Sequence, residues 1–266
     1  QRLPRLIGVE AAMPILLEGG RLSGEAALKA GLAHAVVDKG EEIAAAETWL
    51  LSSPSPTQSW DREDWVSSSP PAVSVALGPV RRVALEKALG HYPALFAILD
   101  CVEFGLPQSF DGAIRSEMTS FTHLILRPEP RAMIQTLFLG RVDYERLERK
   151  GELPDLAGKV VAAVRAVLDR EKADTEALAA AGFESLDGVR IDPLRQREQS
   201  GYWIDGDDPR AARSLAILKQ IHDAVALLAE GCTAEELRVA DYAAIRQTGY
   251  PGYLGGPFAF AAGRWR

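Results

Sequence analysis

The sequence is poor in the residues that most often carry chemistry by themselves. It has two cysteines, Cys101 and Cys232, and neither has a Cys or His neighbour at metal-ligand spacing. That excludes a disulfide framework and a zinc-finger pattern, and fits a reducing, cytoplasmic compartment in which both thiols act as small buried hydrophobes. Four histidines, His34, His91, His123 and His222, include no i, i+4 pair. No apolar run approaches the ~18 residues that a membrane span requires. Positive charge is also short: the formal net charge is -7, which argues against nucleic acid or an anionic membrane as partner.

The familiar catalytic signatures are missing too. There is no glycine-rich strand–turn–helix of the dinucleotide type, no P-loop, no nucleophile elbow and no zinc-protease helix. Gly249, Gly252 and Gly255 are spaced by three, but proline interrupts them and no strand precedes them, so they read as turn glycines. The acidic pairs Glu41-Glu42 and Glu235-Glu236, and the cluster Asp205, Asp207 and Asp208, fall at helix starts or in loops, where acids favour the helix dipole. His34 reads as an edge residue, His91 as a turn hydrogen-bonder, and His123 and His222 as structural residues on amphipathic helices. No metal site and no cofactor site emerges.

What is there is helix. With 47% hydrophobic and 25% charged residues the composition is that of an ordinary globular protein. VEAAMPILLE at 9–18 predicts a helix stopped by Gly19-Gly20, and Ser23 predicts the cap of a short helix over 24–30. Leu32 to Val37 reads as a strand or extended segment because of its β-branched end, followed by a helix at about 41–51. Residues 52–79, with SSPSP, SSSPP and WDREDW, predict a loop, with Trp60 and Trp65 packed down on a folded surface. Helices follow at 80–89 (with Pro79 in first position), 94–104, 108–126 and from Pro128 onward. In 108–126 the residues Phe110, Ile114, Phe121, Leu124 and Ile125 lie near one stripe. RVDYERLERK at 141–150 reads as a domain edge. Beyond it come one Ala-rich helix over 156–181, a polar loop over 183–208, an amphipathic helix over 209–230, and a helix from Thr233 with the capping box Thr233–Glu236.

Two stretches resemble a known family. QRLPRLIG followed by AAMPILLEGGRLSGEAALKAGLAHAVVD resembles the end of an enoyl-CoA hydratase (crotonase) domain, and WDREDW, HYPA at 91–94 and PEPRAMIQTLFLGR resemble the loop and helices that follow it. LLAEGCTAEELRVADYAAIRQTGYPGYLGGPF, residues 227–258, resembles the C-terminal helical domain of 3-hydroxyacyl-CoA dehydrogenases. Both matches occur in the order found in multifunctional fatty-acid β-oxidation proteins.

The resemblance implies a mainly α fold. Residues 1–146 would be the C-terminal portion of a crotonase-like domain with connecting helices (loop 52–79), and 147–266 a dehydrogenase C-terminal-like helical domain. It implies a part of a β-oxidation protein of the hydratase/dehydrogenase type. In that family water adds across a 2-enoyl-CoA double bond, using two glutamates and an oxyanion hole. Those groups match positions before Gln1, and the Rossmann domain has no counterpart in 151–208. The expectation is therefore a chain incomplete at its start, with an internal deletion, inactive alone. The family places the helix matching 128–141 beside bound CoA, which nominates Arg131 and Phe138 as acyl-CoA contacts. The residues themselves allow a plainer reading, in which Phe138 is core and Arg131 a helix-start surface residue. Implied partners are acyl-CoA, and thiolase or a second copy. Two alternatives stay open: a non-catalytic scaffold subunit of a β-oxidation complex, and an unrelated helical ligand-binding module.

Overall fold

The computed structural model describes residues 1–55, 57–88, 91–183, 185–186, 189–190 and 209–261. They are mainly α-helical, as expected from the sequence. They divide into two compact units, one of 1–84 and 94–122, the other of 85–93 and 123–266.

The first unit holds α1 (Arg2–Ile7), α2 (Val9–Glu18), α3 (Gly24–Lys29), α4 (Glu42–Leu51) and most of α5 (Pro70–Ala88), α6 (Pro93–Gly105) and α7 (Phe110–Ile125). Gly19 ends α2 in the left-handed conformation, and the Ser23 hydroxyl caps α3 by accepting the Ala26 amide. The core is built from Met13 on α2, Val73, Leu77 and Ala84 on α5, and Leu99, Val102 and Leu106 on and after α6. Full burial of side chains such as Met13, Leu77 and Leu99 is worth about 1.5–3 kcal/mol each.

Two expectations for this unit need correction. Leu32–Val37 forms no strand; Val36 and Val37 stay exposed, and β-propensity without a neighbouring strand to pair with makes no ladder. The loop expected over 52–79 ends at 69, because α5 starts at Pro70 and runs straight through Pro79. Pro70 and Pro71 occupy the first turn, where no amide bond is needed. Val73, Leu77, Val80 and Ala84, at steps of four, three and four, then bring one face to the core. Pro79 deprives the Val75 carbonyl of its helical donor, at a position where Val75 is 78% exposed and the loss of one helical bond is least costly. Within the remaining loop Trp60 and Trp65 are both half-buried, and the Trp60 ring stacks on Phe110 at 5.1 Å between centroids. Arg2 and Arg5 hold their guanidinium carbons 5.3 and 5.6 Å from the same Phe110 ring. Buried Arg5 also donates to the carbonyls of Gly105 and Gln108, tying α1 to the end of α6.

The second unit holds a helix that changes pitch twice: α8 (Pro128–Met133), a π-helical stretch (Ile134–Gly140) and α9 (Arg141–Lys150). It continues with α10 (Asp155–Glu171), α11 (Thr175–Ala181), a two-residue antiparallel ladder of β1 (Ser185–Leu186) with β2 (Val189–Arg190), α12 (Pro209–Ala226), α13 (Ala234–Thr248) and α14 (Pro257–Ala261). The single helix expected over 156–181 is two helices. Asp174 breaks the run and caps α11 by accepting the Ala177 amide, which lets all of Ala177–Ala181 turn into the core. The core is formed by α10, α11, α12 and α13, with Val160, Val164, Leu178, Leu218, Ile221 and Leu254 fully buried. The capping box of Thr233 and Glu236 is formed, and the Glu236 carboxyl lies below its ordinary range through its bonds with the Thr233 amide and hydroxyl. The polar segment 191–208, with Asp205, Asp207 and Asp208, lies outside the described residues.

Candidate functional site

The helix from Pro128 to Lys150 is the element on which Arg131 and Phe138 sit, and its inner side explains its position. Arg127 precedes the first turn and donates through Nε and a terminal nitrogen to the buried Glu129 carboxylate at 3.0–3.3 Å. Ala132, Thr136 and Gly140 follow at steps of four, and their small size permits close packing. A Cβ on Gly140 would stand 2.8 Å from the Arg238 carbonyl oxygen, so the helix meets the backbone of α13 there. The buried Thr136 hydroxyl donates to the Gly255 carbonyl. Gly255 itself, with φ of +78°, has room for no Cβ, which would lie 2.7 Å from that of Ala132.

The turn that receives this helix is locked from behind. Asp241 on α13 is buried, and its two carboxylate oxygens accept the amides of Phe258 at 2.8 Å and Ala259 at 3.1 Å, donors in the first turn of α14 that have no intrahelical acceptor. Burial holds this carboxyl well above the ordinary carboxylate range, with the two amide bonds pulling the other way. Tyr250 is also fully buried; its hydroxyl has no hydrogen-bond partner among the described residues, and burial pushes its pKa up. Nearby, His91 and Tyr253 stack in parallel at 4.3 Å and satisfy the last carbonyls of α11: His91 Nε2 pairs with the Ala180 oxygen, and the Tyr253 hydroxyl donates to that of Ala181. His91 thus makes the expected turn bond through its backbone amide, which donates to the Ala88 carbonyl at 2.9 Å, while its ring reaches across 89 positions of sequence.

On the outer side Arg131 is exposed, Phe138 is 59% exposed, and Ile134, Leu139 and Val142 are exposed beside it. Arg131 and Phe138 are two turns apart, about 10 Å along the axis. Phe138 is thus not a core residue, contrary to the plainer reading of the sequence. Ile134 and Val142, four positions on either side of Phe138, are joined to it on this face by spacing alone. The wide π turn spans this same stretch, a geometry common at functional positions.

The remaining sequence candidates do not converge on this face. His34 and His123 are exposed, with His34 5.5 Å from the Trp49 ring, and His222 is half-buried with Nδ1 unpaired among the described residues. Glu42 accepts the Gly40 amide and Glu235 pairs with Arg146. Gly249 and Gly255 adopt positive φ as turn glycines. Among the described residues no three His, Cys, Asp or Glu side chains gather as a metal site, and no helix is long and apolar enough to cross a membrane.

No family model and no solved structure matches the chain. A curated protein does: the fatty acid oxidation complex subunit alpha of Aliivibrio fischeri is 32% identical over 146 residues, which is 55% of this chain. The aligned part covers 21% of that protein, so the match spans about a fifth of that relative's length. Over that stretch the chain is similar to the alpha subunit of a fatty acid oxidation complex.

Proposed function

We propose that this chain is part of a β-oxidation protein of the enoyl-CoA hydratase/3-hydroxyacyl-CoA dehydrogenase type and contributes binding surface rather than acid–base groups. The identity to a fatty acid oxidation complex subunit carries this reading. The outer face of the 128–150 helix supports it. A guanidinium two turns from an exposed phenylalanine and its aliphatic neighbours suits a ligand with phosphates at one end and an apolar chain at the other. In this reading Arg131 pairs with a CoA phosphate and Phe138 packs on the acyl or pantetheine portion. Residues 1–146 descend from the hydratase side and 147–266 from the dehydrogenase side. The two glutamates and oxyanion hole that hydrate 2-enoyl-CoA lie outside the chain, as does the nicotinamide-binding domain.

Calorimetric titration with octanoyl-CoA and with free CoA tests the binding role. Saturable binding of octanoyl-CoA is expected, with Arg131→Glu and Phe138→Ala each weakening it by about tenfold, the loss of one good contact. Heats indistinguishable from dilution, or binding indifferent to both substitutions, would remove the proposal.

A second reading, a non-catalytic scaffold subunit that docks thiolase or another protein of the pathway, is favoured by the exposed apolar side chains of α4, Ile43, Leu50 and Leu51. It predicts retention of a thiolase by the immobilised chain and no octanoyl-CoA binding.

A further inference from the structure

α7 buries little of its own apolar stripe. Of its sixteen residues Ala113 is fully buried, Ile114 is half-buried, and Met118, Phe121 and Ile125 are 64%, 62% and 53% exposed. Leu126, just past its end, is exposed as well. The four stripe residues are separated by four, three and four positions, the spacing of the inner positions of a heptad repeat. A seam with that spacing fits another helix crossing at about 20°, side chains interleaving. A flat sheet or an irregular loop would not use that period.

We infer that the seam Ile114–Met118–Phe121–Ile125 is a self-association surface that takes the same helix of a second copy of this chain, antiparallel. Three features favour a second copy over another helix. The first is self-complementarity. With the two-fold axis between positions 119 and 120, Ile114 of one copy meets Ile125 of the other, and Met118 meets Phe121, so each layer pairs similar volumes. The second is charge. In that register Arg115 comes opposite Thr122 and Glu117 opposite Leu124, so no like charges meet on the flanks. The third is size. Four seam residues and Leu126 offer roughly 500 Å² per copy, about 1,000 Å² in all, at the low end of specific interfaces. That area makes the dimer weak, with a dissociation constant on the order of 10–100 µM. The inference is independent of acyl-CoA binding, because Arg131 and Phe138 lie on a different helix.

Sedimentation equilibrium of the full chain over about 1–200 µM tests it, since that range brackets the expected constant. The average mass should rise with concentration from 28.8 kDa towards twice that value. Met118→Lys and Phe121→Glu should each shift the transition to at least about tenfold higher concentration, because each buries an unpaired charge in the seam. Unchanged helical circular dichroism would show that both remain folded, as expected for exposed positions. Mixing the two variants in equal amounts should restore association, because the antiparallel register sets position 118 against position 121. Retained acyl-CoA binding in both variants would separate this surface from the ligand face. A monomer at every concentration, a dimer that neither substitution weakens, or a mixture without rescue would overturn the inference.

Discussion

The backbone of Gly256 lies against the side chain of Asp241 so closely that a Cβ on Gly256 would collide with Cβ and Cγ of the aspartate. Gly256 also has φ of +104°, a conformation that L side chains rarely adopt. The two residues hold the chain reversal that lets Asp241 cap α14 and lets Gly255 receive Thr136 from the 128–150 helix. The turn Gly255-Gly256-Pro257 is therefore an assembly device, one step removed from the exposed face it supports.

Gly256→Ala should destabilise the second unit by about 2–4 kcal/mol, through backbone strain and overpacking together. Urea unfolding followed by circular dichroism reads this directly. A change below about 0.5 kcal/mol, the usual scatter of surface substitutions, would mean that the 252–257 turn is not fixed as described.

Asp241 gives the protein a pH dependence of definite sign. Its native carboxyl keeps its proton to higher pH than the same group in the unfolded chain. In the window above the ordinary Asp value of about 4, the native state therefore binds more protons, and stability falls as pH rises through the raised native value. Asp241→Asn should reduce that slope, at the expense of one amide bond to α14. Urea midpoints for both proteins at about pH 4.5, 5.5 and 7 check it; identical slopes would contradict the burial argument.

Trp60→Ala should cost the first unit about 1–2 kcal/mol, from the stack on Phe110 and the apolar area it covers. Chemical unfolding monitored by circular dichroism is the measurement. An unchanged midpoint would show that the 52–69 segment does not pin the Phe110–Arg2–Arg5 cluster.

The chain alone should hydrate crotonyl-CoA no faster than buffer and should bind no NAD at micromolar concentration. Absorbance loss of the enoyl thioester and calorimetry with NAD are sufficient. Hydration abolished by a point substitution within 1–266, or saturable NAD binding, would show that a working site lies inside the chain.

Local signals were legible wherever one residue and its near neighbours decide the outcome. Gly19 and Gly249 stop helices, and Ser23 and Thr233 cap them, because these effects need no more than a turn of backbone. α5 starts earlier than its sequence suggests, since its serines and prolines read as a loop while the buried stripe of Val73, Leu77, Val80 and Ala84 outweighs Pro79. The break at Asp174 was hidden in the same way, because an alanine-rich run favours helix whether or not it must fold back. Of the site, the sequence and its family resemblance marked Arg131 and Phe138 but not Ile134, Leu139 or Val142.

The sequence by itself determined that this protein is mainly helical, where most helices begin and end, and to which proteins it is related. It did so because helical periodicity, capping and motif order are properties of contiguous residues. The tertiary structure decided which side of the 128–150 helix faces inward, that Asp241 caps a helix seventeen positions away, and that the α7 stripe is left uncovered. Amphipathic patterning states that a stripe prefers burial, but burial depends on what surface arrives to meet it, and that is settled by packing between elements distant in the chain.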